Sequence, residues 1–437
     1  MRLDNPLHDW SRTPAAAAPH APPRGPDGRD GWLALSLALI AALATLVGAH
    51  AIGDAIFDND RYRDVWFDSD TAAYYTTLAD RSTSELHRRT YKHPLMSLGV
   101  VAPVRALELL GMSVRDAVRC LIALIAGLWL GGLFLALRLM ACRRPEAFLL
   151  CLIAGASSAA LLWFPLVESF GLGSIGLVWA LAFVAVSESR PASPIHGAFV
   201  SLATLAVTVT NWCFGLLALL LALPAGRLVR SLLLSGAIFV PLVLLQHRAF
   251  GSAWAFDIPY GELRYIVSEE AGGVWNIVRS FFVHTVVTPA VRTIAHPIDG
   301  FPILSVQFSR IGSSGPWGVA ASVLWVALLG TGLVRLLAMR THRRVRVFVG
   351  LGLLGQLCLH LIYTGRETVL YSLHFLPFLI AVAALGGVGD STKAGRAAFV
   401  GLLCALLVSA TANNVAQFSG AARDYVVAGQ AQGEPRP

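Results

Sequence analysis

The chain has 437 residues, of which 56% are hydrophobic and only 14% are charged, and its formal net charge is +8. Apolar runs of about 17–25 residues recur along it, and each is long enough to cross a hydrocarbon core as a helix. The composition excludes a chain of soluble domains and predicts an all-α polytopic membrane protein. The basic excess lies largely in short loops, as the positive-inside rule expects, so it indicates no nucleic-acid partner.

Taken in chain order, residues 1–30 are rich in Pro, Ala and Arg and predict a disordered cytoplasmic tail. The first apolar run lacks a convincing cleavage site, so we expect a retained helix and not a signal peptide. A transmembrane domain is predicted over 31–415, followed by an outer C-terminal tail over 416–437. The expected spans are about 31–52, 118–140, 146–166, 171–187, two short helices within 195–225 that meet near Thr210-Asn211-Trp212, then 228–248, 317–338, 347–363, 371–388 and 396–415.

These segments give 11 crossings. The short basic loops, which the positive-inside rule places in the cytoplasm with the N-terminus, are 138–144, 227–230, 335–346 and 393–396. An odd number of crossings puts the C-terminus outside, together with the long polar loops 53–117 and 249–316. Within the first of these loops, residues 94–111 predict an amphipathic helix that lies in the outer interface.

The first long loop is rich in acids. Eight of the chain's 26 acidic residues fall between positions 53 and 93, and residues 66–75 at its centre read WFDSDTAAYY. The pair Asp68 and Asp70 can chelate a divalent metal, or one carboxylate can act as a general base. Alternatively, Asp70 caps a helix that begins at Thr71. Carboxylates beside aromatics such as Tyr74 suit a site that activates a hydroxyl or amine next to a sugar.

Basic residues follow in the same loop. Arg88, Arg89 and Lys92 precede His93-Pro94-Leu95, which opens the predicted interfacial helix. Such a cluster can bind a lipid phosphate through charge-assisted hydrogen bonds, or it can only anchor the chain to anionic headgroups.

A third group lies in the turn that enters the tenth span and contains Arg366, Glu367, Tyr371 and His374. An Arg and a Glu at the membrane boundary are costly unless they face a cavity or one another. Tyr371 and His374 are three residues apart and share a helix face. The alternative is a snorkelling Arg366 that pairs with Glu367.

Two further ionisable residues stand alone near apolar spans. Glu168 lies at an outer boundary, either in the site or in a solvated turn, and His360 is expected to make a hydrogen-bonded contact between helices. The sequence contains no Walker motif, GxGxxG, Ser-His-Asp set or metal-ligand histidine set, so an ATP-driven pump or a soluble-type hydrolase has no support.

Together these features resemble the GT-C glycosyltransferases. The layout is close to that of bacterial membrane proteins related to protein O-mannosyltransferases and the lipid A aminoarabinose transferase. The resemblance covers roughly residues 31–415. Three features carry it: the motif at 68–75, the His93-Pro94-Leu95 that opens an interfacial helix, and the late turn 366–374. The interfacial helix is followed by a further helix, which has an Arg-x-x-small pattern at 115–120 and ends at Arg143-Arg144. Two positions depart from the family pattern: the usual Asp-Glu pair is Asp-Ser-Asp, and a Lys often found after the fifth span is replaced by Asn211-Trp212.

The resemblance implies a GT-C-like bundle of about 11 transmembrane helices with interfacial helices in the first outer loop. It also implies an inverting enzyme of the bacterial inner membrane that moves a sugar from a polyprenyl-phosphate donor to a glycan, lipid or protein acceptor on the periplasmic face. Membrane lipids are the remaining partners. The catalytic carboxylate falls on Asp70, which we prefer, or on Asp68. A divalent metal at these two residues stays open, and no other cofactor is implied.

The remaining predicted site residues bind substrate: Tyr74, Arg88, Arg89, Lys92, His93, Glu168, Arg366, Glu367, Tyr371 and His374. Arg366, His374, Arg88, Arg89 and Lys92 are the candidates for stabilising the charge of the leaving phosphate. Two rival interpretations remain. One is a transporter or flippase for a lipid-linked sugar, and the other is a non-catalytic partner in polysaccharide assembly.

Overall fold

The structure is a computed structural model that describes residues 26–57, 64–71, 74–76, 90–251, 272–295, 300–363, 367–388 and 392–432. The predictions for the N-terminal tail up to residue 25, and those for Arg88, Arg89 and Arg366, lie outside these ranges.

In the described residues the protein is a bundle of helices with one small β-hairpin. The first group of helices is α1 (Gly28–Ile52), α2 (Met96–Leu109), α3 (Val114–Leu139), α4 (Arg144–Gly155), α5 (Ser158–Trp163), α6 (Ser169–Ser187), α7 (Pro194–Val207), α8 (Trp212–Ala222) and α9 (Ala225–Phe250). The second group is α10 (Val274–Arg279), β1 (Arg292–Ala295), β2 (Pro302–Ser305), α11 (Pro316–Ala338), α12 (Arg343–Ile362), α13 (Ser372–Leu385) and α14 (Lys393–Gln432). Strands β1 and β2 pair antiparallel, with Arg292 opposite Ser305.

The predicted class, an all-α polytopic membrane protein, is confirmed. Eight segments in the described part are long and apolar enough to cross a membrane: α1, α3, α6, α9, α11, α12, the segment Thr368–Leu385 that contains α13, and α14. If α4 and α5 are counted as one broken segment, the described residues contain 11 helical segments that correspond to the 11 predicted spans. That all 11 cross the bilayer stays a prediction.

Three boundaries differ from those expected. The span predicted at 146–166 breaks between α4 and α5, where the Ser157 hydroxyl accepts a hydrogen bond from the Ala160 amide at 3.2 Å and starts a new helix. Helix α14 continues past residue 415 to Gln432, because Phe418 and Tyr425 are buried against the rest of the bundle. The first helix begins at Gly28, inside the expected tail. The two short helices expected within 195–225 are confirmed as α7 and α8.

Small residues and one central helix set the packing. A Cβ at Gly127 of α3 would lie 2.9 Å from the Ala38 carbonyl oxygen, so only glycine allows α1 to approach this closely. The segment that contains α13 is 89% buried, far more than any other long segment except α6 and α3, which identifies it as the centre of the bundle.

Paired charges hold together the end of the bundle where α1 begins. Asp30 has no exposed surface and accepts hydrogen bonds from the Nε of Arg138 at 3.0 Å and of Arg144 at 2.8 Å. At the same end, the Arg344 amide donates to a Glu188 carboxylate oxygen at 2.6 Å. We call this region, with the loops 140–143, 188–193 and 339–342, the charged end. The N-terminus of α1 and the basic segments 138–144 and 335–346 therefore share one end, and its assignment to the cytoplasm stays a prediction. The segments 227–230 and 393–396, predicted as loops, lie instead in the first turns of α9 and α14.

Candidate functional site

A cavity of about 260 Å³ lies at the opposite end of the bundle, which we call the cavity end. It gathers eight of the nine predicted site residues that the structure describes, from four separate parts of the chain: Asp68, Asp70, Tyr74, Lys92, His93, Glu168, Tyr371 and His374. The ninth, Glu367, lies outside the lining. The sequence-predicted groups therefore meet in one place.

The acidic motif sits on a strained turn at residues 64–68. The non-glycine residues Asp64, Phe67 and Asp68 have φ values of 59°, 52° and 59°, in the left-handed region that bulky side chains rarely adopt. Such strain costs on the order of 1–3 kcal/mol per residue and clusters at functional sites, where the surrounding structure enforces it.

Buried aromatics enforce this turn. Trp66 and Phe67 are fully buried, and the Trp66 indole nitrogen donates to the Leu162 carbonyl at 3.1 Å. The Trp66 ring also packs edge-on against Tyr425 of α14, with centroids 5.5 Å apart. These contacts hold the backbone of the turn against α5 and α14, so that Asp68 and Asp70 line the cavity.

His93 joins the first loop to the end of α7. Its Nδ1 donates to the Val207 carbonyl at 2.6 Å, which leaves Nε2 to accept a hydrogen bond from the Tyr74 hydroxyl at 3.2 Å. The adjacent Lys92 carbonyl accepts from the Val209 amide at 2.9 Å. His93 thus positions both Tyr74 and the backbone of Lys92 at the cavity wall.

The floor of the cavity is formed where the helical backbone is interrupted between α7 and α8. Helix α7 has only 14 residues, about 21 Å of rise against a hydrocarbon core of about 30 Å. A single 3₁₀ turn, Val209–Asn211, connects it to α8. Irregular backbone at membrane depth is tolerated where it is buried in protein or lines a cavity. The cavity therefore reaches into the membrane part of the bundle.

Three polar side chains at this floor form what we call the floor cluster: Thr208 and His374, which line the cavity, and Asn211, which lies next to them outside the lining. Thr208 Oγ1, Asn211 Oδ1 and His374 Nε2 are buried and have no hydrogen-bond partner within the described ranges. They surround Gly173, where a Cβ would lie 2.8 Å from Thr208 Oγ1 and 3.1 Å from His374 Nε2. Each unsatisfied buried polar group costs about 1–3 kcal/mol, so the cluster favours a hydroxyl-bearing ligand or water.

Aromatic rings and one carboxylate form the wall opposite the acidic turn. Glu168 is mostly buried and caps α6, with a carboxylate oxygen accepting from the Ser169 amide at 3.3 Å. The Phe170 ring packs edge-on against Tyr371 at 5.6 Å. The expectation that His360 makes a hydrogen-bonded helix contact is wrong: its ring stacks on Tyr371 at 5.2 Å, and its Nε2 has no hydrogen-bond partner in the described part of the chain.

Glu367 lies behind the cavity wall. It is 2% exposed, and its carboxyl oxygen accepts from the Val306 amide at 3.4 Å, just after β2. Burial raises the pKa of Glu367 to about 8, and the nearby charge of Asp68 acts in the same direction. Glu367 is therefore protonated at neutral pH and adds no second negative charge near Asp68.

One ammonium group and no metal cluster face this cavity in the described residues. Lys92 is the only Lys or Arg among the described lining residues, and its ammonium lies 5.9 Å from the centre of the Tyr91 ring. Across the described ranges, no three His, Cys, Asp or Glu side chains form a metal-binding group. A divalent metal at Asp68 and Asp70 stays a prediction.

Comparison with known proteins agrees with this architecture. No protein-family model and no curated protein matches the chain. A crystal structure of ArnT from Cupriavidus metallidurans bound to undecaprenyl phosphate is similar, with a TM-score of 0.55 and 15% sequence identity, over 92% of this chain and 78% of that chain. The chain has a GT-C-like fold. At this identity the likeness establishes the fold alone, and the predicted resemblance is confirmed at that level.

Sequence reasoning missed several residues of the GT-C-like cavity. Thr208, Tyr91, Phe170 and Tyr363 line it, as does His360. One signal was available, because a polar interruption within an apolar segment, here around Asn211, indicates an intramembrane site. The aromatic residues carry no such signal, since rings near span ends also occur in interfacial belts.

Proposed function

We propose that the protein is a membrane glycosyltransferase that moves a sugar from a polyprenyl-phosphate donor to a glycan, lipid or protein acceptor. The observation that carries the proposal is the convergence of acids, a lysine and unsatisfied polar groups on one cavity of a GT-C-like bundle. The ArnT structure of the same fold is bound to undecaprenyl phosphate, which supports a polyprenyl-phosphate donor.

In the proposed reaction Asp70 is the general base. Its carboxylate takes the proton from the acceptor hydroxyl or amine as that atom attacks the anomeric carbon. The new bond forms on the face opposite the bond to the phosphate oxygen, which breaks and leaves its electron pair on the polyprenyl phosphate. The anomeric configuration inverts. The leaving phosphate gains one negative charge, and the Lys92 ammonium offsets it.

The floor cluster and Lys92 suggest how the donor lies. Thr208 and His374 offer a hydroxyl and an imidazole to the cavity, which suit the hydroxyls of a sugar, and the Asn211 amide oxygen lies next to them outside the lining. Glu168 beside them disfavours an anion in the same recess. We therefore assign the sugar to the floor cluster and the phosphate to the side of Lys92. This revises the expected role of His374, from a partner of the leaving phosphate to a partner of the sugar.

The proposed orientation has the charged end in the cytoplasm and the cavity end in the periplasm of the inner membrane. The five arginines between positions 335 and 346 all belong to the charged end, and that stretch contains no acid. The positive-inside rule places such short basic loops in the cytoplasm.

A transfer assay with purified protein and a panel of radiolabelled polyprenyl-phosphate sugars tests the proposal. Asp70→Asn should reduce the transfer rate by about 10²–10⁴, the usual contribution of a general base. Asp116→Asn is the matched control, because Asp116 is an exposed acid at the start of α3, outside the cavity lining. It should keep full activity.

The other outcomes separate the alternatives. A dead Asp68→Asn with an active Asp70→Asn would move the base to Asp68. Wild-type protein that transfers no sugar, yet carries the lipid-linked sugar across a vesicle membrane, would establish the transporter. Binding with neither transfer nor transport would favour a non-catalytic assembly partner.

A further inference from the structure

A second large recess lies at the charged end, between the last turns of α11 and the part of α12 that runs from Arg343 to Leu357. Its volume is about 730 Å³. The two helices are joined by only four residues, and beyond this loop both pack on α13. The walls of this groove are apolar and include Phe282, Leu337, Gly350 and Leu354, and Arg340, Arg343 and Arg346 also line it.

Among the described residues that line the groove, the charged ones are all arginines. Arg340 and Arg343 are exposed at its mouth. Arg346 is half-buried and donates to the carbonyls of Leu336 and Leu337 at 2.7 Å and 3.1 Å, so it closes the end of α11. Arg344 turns away from the groove and donates to the Ser187 carbonyl. The mouth therefore places the exposed Arg340 and Arg343 beside an apolar slot.

The length of the groove matches one leaflet. From Arg346 to Leu357 the helix advances by about 16 Å, roughly half of a hydrocarbon core of about 30 Å. Leu337 and Leu354 on its walls are 80% and 54% exposed, a surface that lipid chains cover in a bilayer. An apolar slot of this depth with cations at the headgroup level fits a lipid whose headgroup is anionic.

We propose that this groove is a binding site for one anionic phospholipid of the leaflet at the charged end. The phosphate of the lipid lies between Arg340 and Arg343, where guanidinium groups make charge-assisted hydrogen bonds. One acyl chain lies along α12 toward Phe282. The opposite end of α12 carries Leu359 and His360 of the cavity lining, so the bound lipid contacts a helix that also forms part of the cavity wall.

Native mass spectrometry of the full chain in detergent tests this proposal, with phosphatidylglycerol and phosphatidylcholine of identical acyl chains as probes. Wild type should retain one phosphatidylglycerol in preference to phosphatidylcholine. Arg340→Gln/Arg343→Gln should lower that retention by about tenfold or more. Arg190→Gln/Arg230→Gln removes the same charge from exposed arginines outside the groove and should change nothing.

A second variant separates the chain-binding slot from the charges. A Cβ at Gly350 would meet only Leu336 Cδ2 at 3.8 Å, an ordinary contact, so the backbone accepts a side chain there and Gly350→Leu adds apolar volume to the groove. It should displace the lipid while thermal unfolding stays as in wild type. Inorganic phosphate should not displace the lipid, because it lacks the chain. Equal retention of both lipids, equal losses in the two double variants, displacement by phosphate, or full retention in Gly350→Leu would each overturn the proposal.

Discussion

The two ends of the bundle differ in whether their buried polar groups have hydrogen-bond partners within the described protein. At the charged end, Asp30 is fully buried and its carboxylate is paired with two guanidinium groups of the protein, those of Arg138 and Arg144. At the cavity end, the floor cluster is buried with three polar atoms that have no partner in the described part of the chain. Because an uncompensated buried polar group is destabilising, the contrast indicates that one end is completed by the fold and the other by a ligand.

The largest expected effect on stability comes from a substitution at the charged end. Asp30→Asn removes the charge that two arginines share, which should lower the free energy of unfolding by about 3–5 kcal/mol. The folded fraction should keep its transfer rate, since Asp30 is remote from the cavity. Unfolding titrations in mixed micelles, combined with transfer assays, check both parts. A stable but inactive variant would contradict the contrast between the two ends.

Glu367 provides a pH test next to the cavity. Its pKa in the folded protein is about 8, above the ordinary value of 4.5, so the folded state holds a proton that the unfolded state releases. Its contribution to stability is complete below pH 4.5 and is lost as the pH rises to about 8. Glu367→Gln keeps a neutral side chain and should become progressively more stable than wild type over this window. Parallel pH profiles of the two proteins would contradict the assignment.

The next effect concerns phosphate binding. Lys92→Gln removes the only described ammonium or guanidinium group of the cavity lining. Since hydrogen bonds to charged groups contribute about 1.5–3 kcal/mol, the affinity for sugar-free polyprenyl phosphate should fall by about 10–100-fold. Scintillation proximity binding measures this loss. Lys393→Gln, at the first residue of α14 and outside the cavity lining, serves as a control for net charge. An equal loss of affinity in this variant would indicate a general electrostatic effect.

The smallest effect distinguishes sugar from phosphate. Thr208→Val removes an unsatisfied hydroxyl from the floor cluster and nearly preserves its shape. Stability should stay the same or rise, while the KM for the lipid-linked sugar should increase by about 2–10-fold, the value of a neutral hydrogen bond. Binding of sugar-free polyprenyl phosphate should not change. A loss of affinity for both ligands would mean that the floor cluster contacts the phosphate.

The sequence predicted the fold class because hydrophobic spans are a local signal, readable from about 20 consecutive residues. It also predicted eight of the 19 described residues that line the cavity, because groups such as Asp68, Asp70 and Lys92 are polar and lie at the edges of apolar runs. It did not show that Glu367 lies behind Asp68, since that depends on the packing of β2 between them. Nor did it predict the continuation of α14, which requires the contact between Trp66 and Tyr425, residues far apart in the chain.

His360 illustrates the limit of local reasoning most clearly. A histidine within a span indicates a polar role, but its position on α12 does not reveal whether a helix or a cavity faces it. The break at Thr208–Asn211 was visible as a polar interruption, yet only the fold places it opposite His374, through the close approach at Gly173.

The most direct test of the central claim is a structure of Asp70→Asn with a bound polyprenyl-phosphate sugar. The account predicts sugar hydroxyls within hydrogen-bond distance of Thr208 Oγ1 and His374 Nε2, and the phosphate beside the Lys92 ammonium. A donor bound elsewhere on the bundle, with the cavity and its floor cluster occupied by water alone, would contradict it.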